Sequence, residues 1–568
     1  MSGFLHTSGR KLVAALGLVV AVSLLASGCQ AGIPRSGPVY PGPAEAPPAE
    51  QSLVFNPDRP VNGASKEEIV RGFVAAASSA TGDYAIAREF LTPDLNARWN
   101  PHTSITVDAG LRTVKTEDDT VRMIVSPNAL VDAHGSMRSA REGRSVENVF
   151  ELRSIGGEWR VNAAPDGIVL DENTFEAVFN EHSLYFLAAQ SNILVPDQRW
   201  FLRGATTATR IVTELLLGPS ELLADSVTTT AFPEGTALAA NSVPVGSNVA
   251  HVDLTPEALS ADENSLRLML AQLESSLIRV AGVTRADISV DQSVVLAGPA
   301  DPSWSQRYPR VPGKPVVMVG DQFGELGSTG LTPIPRLSEA IRNLAPTSID
   351  YSAPLESAAI GTANGVAIVT ASGQGQVIPV DGRSGLIAPT IDSRGFVWTV
   401  PASNPRDLNV TNAAGASGKI LAPWIDAVGV EVLSVSRDGT RMLVVYNQGG
   451  EYIVAVSGIV RDGNGMPTTM TDPVEIQLST DIPVDADWVD ESHIALASKA
   501  VGNNVEISLL SVGGRAESLG TTEDVVSIAG GNSVSQLRIV DSGGVLREYR
   551  GSNWQESAAE VTLLAKQA

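Results

Sequence analysis

The sequence predicts an exported multidomain protein, with an α+β domain and a mixed α/β domain followed by an all-β propeller of about five or six blades. Three observations predict it. The chain has 568 residues, room for three or more domains. Helical periodicity is confined to residues 65–281, and from residue 351 onward short apolar strands alternate with Gly, Asn, Asp and Ser turns. Composition agrees: 43% hydrophobic and 18% charged residues suffice for real cores, while 52 Gly, 34 Pro and 5% aromatics favour strands and turns. The net charge of −23 argues against a nucleic-acid partner or a direct anionic-lipid surface, both of which need dense Lys and Arg.

The first element is an export signal. Arg10 and Lys11 precede the apolar run 12–26, which is short for a membrane span and suits a secretory core. It ends in Leu25-Ala26-Ser27-Gly28-Cys29, small residues before a cysteine, so residues 1–28 form a lipoprotein signal peptide cut between Gly28 and Cys29. This sequence resembles the lipobox, although leucine stands one place earlier than usual and Ala26 takes its position. Cys29 is the only cysteine, so no disulfide can form within the chain. The resemblance implies S-diacylglyceryl modification of Cys29 and leaves N-acylation of the same residue open. Two acyl chains are what stable anchoring requires. A plain signal peptide with an incidental cysteine is the alternative.

Residues 29–60 carry the anchor and a tether. Pro34, Pro38, Pro41, Pro43, Pro47, Pro48, Pro57 and Pro60 remove backbone donors and hold the segment extended, with a reach of about 90 Å. The first domain spans 61–170. Ser65 reads as a helix N-cap with Glu67 and Glu68 in the first turn, and Ile69, Val70, Phe73, Val74 and Ala77 make one apolar face. A short second helix follows over 84–91. The period then shifts to two at 105–107, 121–125, 146–152 and 159–161, predicting a curling antiparallel sheet. Helices leading such a sheet look like the cone of the nuclear-transport-factor-2-like (NTF2-like) fold. Such a cone can hold an active site, but no matched acid/base set is present, which favours a structural or docking role.

The middle domain spans 171–300. Strands at 183–187 and 194–196 precede a helix over 207–217, closed by Gly218 and stopped by Pro219. A turn at 232–235, a strand at 250–254, an amphipathic helix over 264–281 and a strand at 287–290 complete it. Leu-Leu-Leu-Gly-Pro, then Pro-x-Gly, then Val-Asp-Leu, in this order over about 120 residues, resembles the GerMN domain of sporulation and envelope proteins. His251 and Asp253 tempt as a catalytic pair, but alternation with Val252 and Leu254 favours a solvated strand face.

Residues 301–350 read as a linker. Val316–Val319 within it, or Val561–Leu564 near the other end, supplies a candidate strand to close a ring. Over 351–568 a strand–turn–strand unit recurs at 358–370, 386–400, 432–446, 484–497 and 525–540, at spacings that bracket a propeller blade of some forty residues. A β-sandwich is the alternative, though it needs no such repeat. Trp398, Trp424, Trp488 and Trp554 could line a ligand cup; packing between blades is the simpler reading. Asp485, Asp487, Asp490 and Glu491 are the chain's candidate for calcium, yet they lack the glycine and final glutamate of an EF-hand and read as a solvated acidic loop.

No G-x-S-x-G elbow or phosphate-binding loop occurs, and the one S-x-x-K, ending at Lys11, lies in the signal peptide. His102, His134, His182, His251 and His493 do not pair at metal-ligand spacing. The expectation is therefore a protein with no catalytic residues, cofactor or metal.

Taken together, lipobox, proline tether, α+β domain, GerMN-like domain and propeller resemble the actinobacterial lipoprotein LpqB family along essentially the whole chain. The resemblance implies anchoring on the extracytoplasmic face of the plasma membrane. It also implies a non-enzymatic partner role, in which the protein contacts the extracytoplasmic domain of a sensor histidine kinase of the MtrB kind and modulates two-component signalling, wall homeostasis and division. The alternative is a cell-wall glycan or peptide binder or hydrolase.

Overall fold

A capping box opens the first helix, Lys66–Ala76. The Ser65 hydroxyl accepts from the Glu68 amide, and the Glu68 carboxylate accepts from the Ser65 amide at 2.8 Å. Ile69, Val70, Phe73 and Val74 are buried along one face. This helix is the first in a computed structural model that describes residues 56–568 apart from 141–142, 225, 302–304, 374, 425 and 480. The signal peptide, Gly28, Cys29 and the tether as far as residue 55 lie outside the described residues. The described residues form one compact unit.

In the first domain the sheet is not a single curl. Thr113–Glu117, Thr120–Val125, Val146–Ile155 and Glu158–Ala163 form one sheet; Met137–Ser139, Pro127–Asp132, Ser104–Asp108 and Ile168–Asp171 form another. The chain steps from the first to the second at Ser126, between Thr120–Val125 and Pro127–Asp132. The space between helices and sheets is filled by side chains. Phe73 meets Trp99 edge-on at 5.1 Å and Phe150 at 6.2 Å, and Met123, Val161 and Leu170 are buried beside them.

The middle domain pairs Phe179–Ala188 antiparallel with Ile193–Leu202, over the helix Thr207–Leu217. Gly218 ends that helix at φ +106°, a conformation that favours glycine, and Pro219 follows. Val249–Leu254 runs parallel to Arg285–Val290, and the helix Glu263–Leu277 connects them. That helix stops at Leu277, short of the expected residue 281. Leu184, Phe186, Ile211, Leu215, Val252, Leu273 and Ile288 make the core.

Six sheets follow as the blades of a propeller. Blade 1 takes Val316–Val319, Gln322–Gly327 and Gly330–Thr332, with Val561–Leu564 as its innermost strand. The innermost strands of blades 2 to 6 are Ser348–Ser352, Thr390–Ile391, Gly429–Val435, Pro483–Trp488 and Val525–Ala529. Each packs on the next, and Val561–Leu564 meets both Val525–Ala529 and Ser348–Ser352 to complete the ring. The linker expected over 301–350 is thereby corrected. Its apolar stretches are three strands of a blade, and the two segments offered as alternative closing strands pair with each other, Met318 opposite Leu563. A last short strand, Lys566–Gln567, lies parallel to Ser348–Ser352 at the axis.

The expected repeat at 358–370 is the hairpin of the second and third strands of blade 2, whereas the other four repeats are first and second strands of blades 3 to 6. Trp398, Trp424 and Trp488 are buried, and Trp554 is partly buried, its indole N–H donating to the Leu519 carbonyl at 3.1 Å. Trp398 and Trp424 share one apolar cluster while Trp488 and Trp554 pack in two others, so the four form no common cup.

Candidate functional site

The strand Ile193–Leu202 is buried along both of its faces and joins all three modules. Trp200 packs against Phe175 with ring centroids 5.0 Å apart, and its indole N–H donates to the Gly513 carbonyl in blade 5 at 3.0 Å. Its amide donates to the Gly135 carbonyl of the first domain at 2.8 Å. Arg199 shares a face with Asp197, as strand geometry dictates for residues two apart, and their side chains pair at 2.8 Å. A second Arg199 nitrogen donates to the His134 carbonyl at 3.0 Å. Glu214 is buried and receives Arg210 at 2.8 Å and the His134 ring at 2.9 Å. A cleft of about 250 Å³ opens over these groups, lined also by Asp132, Arg138 and Val512.

More bonds extend the seam. The Tyr185 hydroxyl donates to Glu491 at 2.7 Å, and Arg307 pairs with Glu491 at 2.5 Å while lying over the Tyr185 ring. Burial, with the Glu491 charge, pushes the Tyr185 hydroxyl well above its ordinary pKa, so it stays a donor. Ser511 donates to Glu181 at 3.0 Å, Arg394 to the Ala189 carbonyl at 3.0 Å and Gln190 to the Asp462 carbonyl at 2.7 Å. Arg515 pairs with Glu172 and Glu176. Chemically, these charges hold modules together.

The residues singled out in the sequence do not assemble into one site. His251 pairs with Asp287 on the neighbouring strand at 2.8 Å, whereas Asp253 accepts from the Ser289 hydroxyl at 2.8 Å and the Gln292 amide at 3.0 Å. The acidic cluster is also divided, which corrects the expected solvated loop. Asp485 and Asp487 point to the axis, Asp490 pairs with His493 at 2.8 Å, and Glu491 belongs to the seam. Among the described residues no group of three or more His, Cys, Asp or Glu is placed to share a metal ion. His182 is buried with neither ring nitrogen bonded, and burial, with the charges of Arg279 and Arg203, lowers its pKa to about 4. Sequence reading passed over Arg199, Trp200 and Lys566. The signal available was the unusual run Asp197-Gln198-Arg199-Trp200 inside an otherwise apolar strand.

Three family models match the chain: "Lipoprotein LpqB, N-terminal domain" over residues 59–176, "Sporulation and spore germination" over 183–295, and "Lipoprotein LpqB beta-propeller domain" over 322–562. The third begins inside blade 1. Lipoprotein LpqB of Cutibacterium acnes is 22% identical, with 96% of this chain and 98% of that protein covered. That of Bifidobacterium longum is 24% identical over 98% of this chain and 99% of its own length. That of Nocardia farcinica reaches 31% identity over 32% of this chain and 30% of its own. No helix among the described residues is long and apolar enough to cross a membrane. With both of its named domains matched in order around a germination-type module, and relatives aligned from end to end, the chain belongs to the LpqB lipoprotein family.

Proposed function

We propose that this lipoprotein is held on the extracytoplasmic face of the plasma membrane by acyl chains on Cys29. There it acts without catalysis, docking on the extracytoplasmic domain of a sensor histidine kinase of the MtrB kind and modulating its signalling, and through it wall homeostasis and division. One observation supports this best. Polar and charged groups at the centre of the molecule bond across modules, Arg199 to the His134 carbonyl, Arg307 to Glu491 and the Trp200 indole to Gly513, so the three domains form a rigid scaffold rather than a set of independent catalytic units. An anchored scaffold confined to the plane of its partner works at high effective concentration, so a micromolar-range contact suffices.

The Cys29→Ala protein tests the reading. It should incorporate no labelled palmitate and should lose its effect on the kinase at normal expression. Its folded domains should still bind the isolated sensor domain, and excess soluble protein should restore the response. Absence of any binding to the sensor domain would remove the direct-contact mechanism.

A cleft of about 360 Å³ between the first and middle domains supports a second reading. Tyr84, His102, Phe179 and Trp200 line it beside Asp132 and Arg210, a mix of rings and polar groups suited to a wall glycan or peptide. Sedimentation with purified cell wall, lost in Tyr84→Ala, would favour this reading; release of muropeptides would make it a hydrolase.

A further inference from the structure

The two ends of the propeller are built differently. Turns between first and second strands, at Arg394 and Glu491, face the middle domain. The opposite end carries the loops between second and third strands and those from blade to blade. Backbone hydrogen bonds tie these loops into a belt: Val428 to Asn447 at 2.8 Å, Lys499 to Ile482, Asp524 to Asn503 and Ser542 to Asp524, each at 2.9 Å. Along the belt Val428 is 70% exposed, Ile482 49%, Val501 90% and Val526 52%. Loop tips ordinarily carry Gly, Asn, Asp or Ser, yet Val428, Ile482 and Val501 stand on loops and Val526 at the bulged start of the strand Val525–Ala529, four aliphatic side chains facing water on blades 4 to 6. Glu431, Glu451, Asp481, Glu523 and Asp524 are exposed at these loops and the strand ends beside them, with Lys499 as a cation among them, while Arg406 and Lys419 at the same end are paired with Asp426 and Asp407.

We infer that this end of the propeller, centred on Val428, Ile482, Val501 and Val526, is a docking surface for a protein whose contact patch presents apolar side chains ringed by lysine and arginine. Charge complementarity selects that occupant. The carboxylates repel anionic lipid headgroups, and a second copy would bring the same acidic rim. The inference rests on the reading of this lipoprotein as a docking protein and names the face that does it.

The test places a photo-crosslinking side chain at Val428, Val501 or Val526 of the full-length lipidated protein in its own membrane, with Leu111 and Leu259, also exposed, as controls. The belt positions should each give an adduct with one and the same protein, weakened by added salt, whose linked segment carries Lys or Arg. No adduct from the belt, or adducts only with lipid or with a second copy, would overturn the inference. In parallel, Val428→Ser with Val501→Ser should leave the melting transition unchanged and weaken binding to the purified sensor domain by about tenfold. Unchanged affinity in that variant would sink the docking face and leave the proposed function standing. A belt adduct with some other basic protein, and no binding to the sensor domain, would do the reverse.

Discussion

Buried charge is handled in opposite ways at the propeller axis and at the seam between modules. At the axis Asp350, Asp485 and Asp487 face one ammonium, that of Lys566, which donates to Asp485 at 2.8 Å and to the Ala486 carbonyl at 2.7 Å. Burial works against the Lys566 charge, but the carboxylates outweigh it and its pKa is raised. Burial pushes Asp350 up to about 6 even though it accepts from the Ile391 amide and the Thr390 hydroxyl. Burial also raises Asp487, against the opposing charges of Lys566 and Arg437. At the seam the two buried carboxylates each meet a guanidinium, Asp197 that of Arg199 and Glu214 that of the half-exposed Arg210. Around Lys566 carboxylates therefore outnumber ammonium, with Arg437 the further cation acting on Asp487, whereas each of these two seam carboxylates has its own partner. Stability should follow pH through the axis.

Removing the axial cation should have the largest effect. Lys566→Met leaves the buried Asp350 and Asp487 and the partly buried Asp485 without their ammonium, a loss of about 3–5 kcal/mol at neutral pH by chemical denaturation. The loss should shrink on acidification, as Asp350 and Asp487 take up protons. A loss that is the same at all pH values would mean that Lys566 acts only by packing.

Asp350→Asn should work in the other direction. The folded-state pKa of Asp350, about 6, lies above the ordinary carboxylate value, so the protonated form is the one the fold favours. Its stabilising contribution is complete below about pH 4 and is lost as pH rises through about 6. Asparagine stays neutral and can still accept from Ile391 and Thr390. At neutral pH the variant should be more stable than the parent by up to about 2–3 kcal/mol, and near pH 4 the two should converge. A less stable variant at neutral pH would show that Lys566 needs this charge, and the claim of excess carboxylate would fail.

Much of this architecture was legible because it is local. The Ser65–Glu68 box, the helix Thr207–Leu217 with Gly218-Pro219 behind it, and the turns at 393–395, 437–439 and 490–492 all lie within a few residues of what they organise. Ring closure is not local. Val316–Val319 and Val561–Leu564 are two ordinary apolar runs some 240 residues apart, and nothing in either names the other as its partner. The acidic cluster misled because it was read as a loop. Asp485-Ala486-Asp487-Trp488 lies on a strand, where alternation sends both carboxylates to one side, and here that side is the axis. The seam was illegible for a related reason: a strand buried on both faces shows no alternation, so Arg199 and Trp200 carried no mark of what covers them.

The smallest effect should come from a cross-module ion pair that is neither buried nor isolated. Arg515 on blade 5 pairs with Glu172 and Glu176, and these side chains are 33%, 37% and 53% exposed. Water already solvates most of that charge, and two long side chains lose rotamer freedom on pairing. Arg515→Gln should therefore cost less than about 1 kcal/mol, and the difference should vanish when salt screens the pair. The same substitution leaves Trp200 on Gly513 and Arg199 on Asp197 intact, so the modules should stay joined. A cost approaching that of Lys566→Met would place the strength of the seam in its exposed rim. The matched pairs beneath the rim would then be bystanders, and the contrast between seam and axis would have to be drawn from solvent access instead of charge balance.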